Sequence, residues 1–114
     1  FIITAGSQAD TTLNVWSMKG EKLHSFNTYQ IEHYDIICSL NTFMVRGWTS
    51  EVKLFNVETD KSGGFLKIEK GYNLSIPDQA ICASMDNLAI YGLTVSKEFK
   101  TTLWNLHPAN PQKM

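Results

Sequence analysis

The amino-acid sequence predicts an all-β protein. Short apolar and β-branched runs are separated by turn residues, no stretch shows the 3.6-residue apolar period of a helix, and one strand-like pattern occurs three times. With 114 residues, of which 43% are hydrophobic, the chain has the size and composition of one folded domain. We therefore expect a soluble, packed protein built from strands and turns.

The repeated pattern is a strand that closes on an aromatic residue. Each copy reads apolar residue or threonine, polar, apolar, aromatic, serine or asparagine, apolar, and the aromatics are Trp16, Phe55 and Trp104. Successive aromatics are 39 and 49 residues apart, close to the period of about 40 to 45 residues of one four-stranded propeller blade. The repeat therefore predicts an arc of about two and a half blades. Its expected parts are the end of one blade in 1–30, a full blade in 31–76, most of a third in 77–107 and a linker in 108–114.

The individual strands follow from alternation of apolar and polar residues between turns. Strands are expected, in order, near 1–6, 12–18, 21–27, 35–40, 42–48, 51–57, 65–70, 80–85, 87–93 and 101–106. Turn residues predict the connections, at Lys19-Gly20, Asn41-Thr42, Asp60 to Gly64, Pro77-Asp78 and Asp86-Asn87. The strands that bear the aromatics have apolar residues on both sides of the pleat, so neighbouring blades should cover both faces.

The first unit resembles the end of a WD40 repeat. In "ITAGSQADTTLNVW" a run of small residues precedes Asp10, and an apolar strand then closes on Trp16 six residues later. The resemblance implies that Asp10 accepts hydrogen bonds from backbone N–H groups of a tight turn. It also implies that Trp16, Phe55 and Trp104 pack between neighbouring sheets and that His33 makes a structural hydrogen bond inside a blade.

The later units depart from the WD40 pattern. Thr49 and Glu98 stand where the turn aspartate would be, six residues before Phe55 and Trp104. The residues that follow the aromatics, where the family most often has aspartate, are Ser17, Asn56 and Asn105. We therefore interpret the chain as a set of degenerate repeats, belonging to a ring of about seven blades in a longer protein.

Composition and motifs exclude several functional classes. The net charge of −1, the pI of about 6.3 and a single arginine, Arg46, argue against nucleic-acid or anionic-membrane binding. No apolar run approaches the roughly 20 residues of a membrane-spanning helix. The histidines are isolated, and no nucleophile elbow, phosphate loop or dinucleotide glycine pattern occurs, so we expect no metal, cofactor, small-molecule substrate or enzymatic activity. Cys38 and Cys82 lie in apolar runs and are expected to be buried free thiols.

A non-enzymatic scaffold for protein partners is the function that the resemblance implies. The candidate partner contacts, by their position between strands, are Gln8, Ala9, Trp48, Ser50 and Lys97. The alternative is a propeller whose central channel carries an enzymatic site supplied by blades outside this sequence. The expected location is intracellular. It is the endoplasmic-reticulum membrane, through a segment outside the repeats, if the likeness to the transducin β-like branch of the family holds, and otherwise the cytoplasm.

Overall fold

The computed structural model describes residues 1–6, 11–30, 32–76, 79–106 and 112–114. In these ranges the chain forms three antiparallel sheets and no helix, so the prediction of an all-β arc is confirmed. The first sheet contains β1 (Ile2–Ala5), β2 (Thr12–Trp16) and β3 (Lys22–Asn27). The middle sheet contains β4 (Asp35–Ser39), β5 (Thr42–Arg46), β6 (Glu51–Thr59) and β7 (Phe65–Ser75). The third sheet contains β8 (Ala80–Met85), β9 (Tyr91–Ser96), β10 (Thr101–Asn105) and β11 (Gln112–Lys113).

The strands begin and end close to the predicted positions, with three differences. β9 begins at Tyr91 rather than near 87, because the Asp86 carboxylate accepts the N–H groups of Ile90 and Tyr91, both at 2.8 Å, and holds 86–90 in a turn. β7 continues to Ser75, since its register shifts allow it to follow the whole length of β6. β11 lies in the segment expected to be a linker and pairs with the end of β10.

Strand direction gives the three sheets two distinct edges. The loop edge consists of residues 28–30 and 32–34 between the first and middle sheets, and of the turns 47–50 and 97–100. The hairpin edge is opposite and consists of the turns 17–21, 40–41, 60–64 and 86–90. Adjacent strands run in opposite directions, so successive turns of one sheet alternate between the edges.

The middle sheet is covered on both faces. Its junction with the first sheet, the first junction, is a cluster of buried side chains with several partly buried aromatics at its border: Leu13, Phe43, Val45, Phe55 and Val57 with Phe26 and Phe65. The second junction, between the middle and third sheets, contains Met44, Val52, Leu54, Leu74, Ile76, Ala80, Ala83, Trp104 and Leu106. Burial of each such side chain contributes about 1.5 to 3 kcal/mol, so these junctions hold the sheets together.

The three repeated aromatics occupy the same place in their sheets. Each is paired with a lysine on the following strand, namely Lys22 for Trp16, Lys70 for Phe55 and Lys113 for Trp104. The Phe55 ring lies in the first junction and Trp104 in the second, with 3% and 5% of their surfaces exposed. Trp16 is half-buried on the outer face of the first sheet.

On the strand that precedes each repeated aromatic, the residue beside the aromatic ring changes with the type of ring. The Trp16 indole N–H donates to Thr4 Oγ1 at 2.8 Å, and the Trp104 indole N–H donates to Thr94 Oγ1 at 2.9 Å. Both threonines are two residues beyond the direct ladder partner on the preceding strand. In the middle sheet this position is the buried Val45. Phenylalanine has no N–H to satisfy, so an apolar neighbour there leaves no polar group unpaired.

The cysteines differ from the expectation of burial. Both are free, as predicted, but Cys38 and Cys82 are exposed. They lie on β4 and β8, the first strand of each four-stranded sheet, where one strand edge has no neighbour in the sheet. The apolar residues around them in sequence therefore do not make their positions interior, although partial desolvation raises the pKa of the Cys38 thiol.

Candidate functional site

Large aromatic side chains point into solvent along the loop edge. The exposed fractions are 59% for Trp48, 71% for Tyr29 and 78% for Phe99. They come from three separate connections, the turn between β5 and β6, the linker after β3 and the turn between β9 and β10. Exposed tryptophan and tyrosine are typical of protein interfaces, since they offer a large apolar area at low entropic cost. The loop edge is therefore the candidate site.

Two of these aromatics have an unfavourable backbone conformation. The φ angle is +57° at Tyr29 and +64° at Phe99, in the left-handed region that bulky residues rarely adopt. The Tyr29 N–H donates to Asn27 Oδ1 at 2.7 Å, and the Phe99 N–H donates to the Ser96 carbonyl oxygen at 2.8 Å. These hydrogen bonds hold the turns, so the exposed rings are presented in defined positions.

A buried glutamine, Gln30, stabilises the loop edge through hydrogen bonds. Gln30 has no exposed surface, and its Nε2 donates to the carbonyl oxygens of Glu51 at 2.8 Å and Val45 at 3.2 Å. Its Oε1 accepts the backbone N–H and the hydroxyl of Thr49. Because Thr49 is next to Trp48, this one side chain connects the inter-sheet linker with the turn that carries the exposed indole.

His33 ties the same linker to the first sheet. Its Nδ1 lies 3.0 Å from the Gly6 carbonyl oxygen, and its Nε2 lies 2.7 Å from Thr28 Oγ1. The Gly6 acceptor requires a proton on Nδ1, because a carbonyl oxygen only accepts. The histidine thus bridges the linker and the first sheet, rather than lying inside a single blade.

Lys53 is a buried cation beneath the edge. It is 7% exposed, and its Nζ donates to the Tyr29 carbonyl oxygen at 3.1 Å. Burial lowers the pKa of Lys53, and the nearby Glu51 carboxylate opposes that effect. This bond fixes the backbone of Tyr29 directly, so the exposed phenol ring is carried on a supported turn.

Arg46 holds the loop edge together at the second junction. Its Nε and Nη2 donate to Asp35 Oδ2 at 2.8 and 2.7 Å, and its Nη1 donates to the Ala80 carbonyl oxygen at 3.0 Å. The guanidinium also lies 5.3 Å from the centroid of the Tyr34 ring. The Tyr34 hydroxyl donates to Glu32 Oε2 at 2.7 Å, and this hydrogen bond raises the pKa of Tyr34.

The residues predicted as partner contacts lie on this edge where the structure describes them. Trp48, Ser50 and Lys97 are exposed at the turns 47–50 and 97–100. The Ser50 carbonyl oxygen accepts the Ile76 N–H, and the Lys97 N–H donates to the Gln79 carbonyl oxygen, so both turns are joined to the neighbouring linker. Gln8 and Ala9, together with the proposed turn aspartate Asp10, are outside the described residues.

The edge contains no feature of a metal centre among the residues that the structure describes. Within those ranges no three His, Cys, Asp or Glu side chains are arranged so that they could hold a metal ion. The described segments likewise include no helix that is long and apolar enough to cross a bilayer.

Curated proteins with similar sequences agree with this architecture. Transducin beta-like protein 2 of Homo sapiens is 31% identical to the chain over 108 residues, and the mouse protein of the same name is 31% identical over 112 residues. The alignments cover 92% of the chain. This chain is a stretch of WD40-repeat propeller. It spans about a quarter of the length of these relatives, 24% in both cases, and no family model matches it.

As a WD40 arc, the chain replaces the family's turn aspartate with hydroxyl groups. In the middle sheet Thr49 Oγ1 accepts the Glu51 N–H at 3.4 Å, and in the third sheet Ser96 Oγ accepts the Lys100 N–H at 3.1 Å. A hydroxyl near the turn performs the backbone capping more weakly than aspartate does. Glu98 replaces the family's aspartate, and a different residue, Ser96, therefore accepts a backbone N–H group of this turn.

Gln30, Phe99 and the role of Arg46 were not predicted from the sequence. A polar residue between two strands has no distinctive pattern, and its burial depends on a neighbouring sheet. Phe99 follows two charged residues, which favour an exposed turn, and this was the available signal.

Proposed function

We propose that the loop edge of this WD40 arc is a binding surface for a partner protein and that the chain acts as a non-enzymatic scaffold. The observation that carries the proposal is the set of exposed aromatics Tyr29, Trp48 and Phe99 on one edge. The support beneath them, from Gln30 and Lys53, favours a preformed surface, which lowers the entropic cost of binding.

The chemistry of the edge favours a partner with an apolar surface and some acidic side chains. Lys97, Glu98 and Lys100 lie next to Phe99 in the same turn and are exposed, so the turn has a net positive charge, and a rim of charge around aromatic anchors is typical of protein interfaces. Likeness to transducin beta-like proteins supports the scaffold role, because WD40 repeats are in general interaction modules. We extend the proposal to an intracellular location, at the endoplasmic reticulum if the longer protein carries a membrane segment.

Quantitative capture of partner proteins tests this function. The full chain is immobilised, and the proteins that it retains are compared with those retained by Trp48→Ala and Phe99→Ala. A hot-spot aromatic contributes about 2 kcal/mol or more, so recovery should fall about 30-fold at limiting concentration. Met18→Ala is the matched control, because Met18 is 77% exposed but lies on the hairpin edge. Equal recovery by all four proteins would remove the loop edge as the binding surface.

A further inference from the structure

We propose that a second binding site lies on the opposite edge, where a cleft between the middle and third sheets accepts an uncharged, extended peptide segment through an apolar side chain. We call it the inter-sheet cleft. It encloses about 500 Å³, within the range of about 300 to 1,000 Å³ that is typical of ligand pockets. The proposal rests on the scaffold function and adds a second, chemically distinct site for a partner.

Apolar side chains surround the mouth of the cleft. Leu40, Tyr72, Leu88 and Ile90 line it, and their exposed fractions are 72%, 52%, 59% and 44%. Hairpin tips usually carry polar residues or glycine, and single exposed apolar residues have no special meaning. Here four such residues surround one concave space, and the buried Leu54 and Leu106 also line it.

The two turns that form the cleft have an unfavourable backbone conformation. The φ angle is +49° at Leu40 and +54° at Ala89, in the left-handed region that is unfavourable for a residue with a side chain. Such strain persists only where the surroundings impose it. At the second turn the Asp86 carboxylate accepts three backbone N–H groups, and Ser39 Oγ donates to the Asp86 carbonyl oxygen across the junction. The turn that forms one wall of the cleft is therefore held in its conformation.

The chemistry of the lining defines the occupant. Among the described residues, those that line the cleft are all uncharged, and their polar side chains include three carboxamides, Asn41, Asn56 and Asn105. Within the part of the chain that the structure describes, the side chains of Asn41 and Asn105 make no hydrogen bond. A carboxamide both donates and accepts, so it can pair with a peptide N–H and C=O together. A charged ligand group would lose its water here without an opposite charge.

Together these features favour a peptide backbone flanking a leucine-like side chain. The apolar rim would bury that side chain, and the carboxamides would bind the backbone on either side of it. A lone apolar molecule would leave the carboxamides unpaired, which costs binding energy. Both walls of the cleft come from adjacent sheets of this chain.

Binding of short synthetic peptides by the full chain tests the cleft. The probes are serine-glycine peptides with one central Leu, Ile or Phe, labelled for fluorescence anisotropy, together with matched peptides that have Asp or Lys at the centre. We expect binding of the apolar-centred peptides only. Leu88→Asp and Asn105→Asp should each weaken it by about tenfold or more. Both side chains are exposed, so the variants should fold, which thermal melting verifies.

Met18→Asp is the matched control, since it makes the same change at an exposed position of the first sheet and should bind the peptides normally. Absence of peptide binding, or equal binding by Leu88→Asp, would overturn the cleft proposal. Self-association of the native chain that Leu88→Asp abolishes would also overturn it, in favour of a second copy as occupant. These outcomes are separate from the scaffold test, because Trp48→Ala and Phe99→Ala change the other edge. If Trp48→Ala and Phe99→Ala lose the partner but the native chain binds no peptide, the loop edge is supported as the partner surface and only the cleft proposal is overturned.

Discussion

The first junction joins two sheets through stacked aromatic rings, whereas the second joins two sheets through aliphatic side chains around one indole. Phe55 stacks on Phe43 with 5.2 Å between the ring centroids and meets Phe26 edge-on at 5.3 Å. At the equivalent place of the second junction, Gly92 pairs with Trp104, and a Cβ on that glycine would lie 2.9 Å from the Met44 methyl carbon. The same repeat position is thus filled in one sheet by a ring and in the next by a side chain from the neighbouring sheet.

The polar side chains also differ between the two junctions. The first junction contains a buried glutamine with partners only among backbone and hydroxyl groups, whereas the second contains Arg46 paired with a half-exposed Asp35. Degenerate repeats therefore keep the shape of the junction while its chemistry changes.

Truncation of the central ring should have the largest effect at either junction. We expect Phe55→Ala and Trp104→Ala each to reduce the free energy of unfolding of the full chain by about 3 to 5 kcal/mol, because each removes a buried ring and leaves a cavity. Denaturant unfolding measures this loss. A loss below about 1 kcal/mol for either variant would show that its junction does not stabilise the fold.

Loss of the buried polar side chains should separate the junctions. Gln30→Leu removes the acceptor of the Thr49 N–H and the donor to the Val45 and Glu51 carbonyl oxygens, and we expect a loss of about 2 to 3 kcal/mol. Arg46→Met should cost about 1 kcal/mol, because the Asp35 side chain, 47% exposed, can be hydrated instead. The two unfolding curves should be recorded at low and high salt. Only the cost of Arg46→Met should decrease with salt, and the reverse pattern would contradict the comparison.

The threonine that accepts the indole N–H should matter only beside a tryptophan. Thr94→Val leaves the buried Trp104 N–H unpaired and should cost about 1 to 2 kcal/mol, whereas Thr94→Ser keeps the acceptor and should cost less. In the middle sheet, Val45→Thr should destabilise the native protein more than it destabilises a Phe55→Trp variant. A double-mutant cycle measures the coupling. Strict additivity of the two changes would contradict the proposed pairing of these positions.

Low pH should destabilise two hairpin turns, and this is the smallest change in stability that we expect. Hydrogen bonds from the Tyr91, Ile90 and Leu88 N–H groups lower the pKa of Asp86, and a hydrogen bond from Ser62, followed by bonds from backbone N–H groups, lowers the pKa of Asp60. A lowered folded-state pKa stabilises the protein fully above the unfolded value of 3.8 and loses this contribution as pH falls through the folded value.

The unfolding midpoint should therefore decrease between about pH 5 and about pH 2, and less steeply in Asp86→Asn and Asp60→Asn. Glu21→Gln is the control, because its exposed side chain has no described hydrogen bond and its slope should match that of the native chain. Identical slopes in all four proteins would contradict the assignment of these turns to the carboxylates.

Most of the strand positions could be predicted from the sequence, because alternation and turn residues are local signals. The turn at Asp60 to Gly64 joins β6 and β7 as expected, with Asp60 Oδ1 accepting the N–H groups of Ser62 and Gly64. Trp48 and Lys97, predicted as partner contacts from their place between strands, are both exposed. The local pattern did not predict which side chains within strands are exposed. Cys38 and Cys82 have apolar neighbours in sequence, but each lies on the first strand of its sheet, where one edge has no neighbouring strand.

The β class, the spacing of three equivalent strands and the aromatic that closes each of them follow from local sequence, since they depend on residues close together in the chain. Three other features appear only in the folded chain: Val45 lies beside Phe55, Gln30 is buried next to the turn that carries Trp48, and two hairpin turns 48 residues apart, at Leu40 and Leu88, form one cleft. Such arrangements depend on strand register and on which sheet packs against which face. Those are properties of distant segments, so no local pattern of residues encodes them.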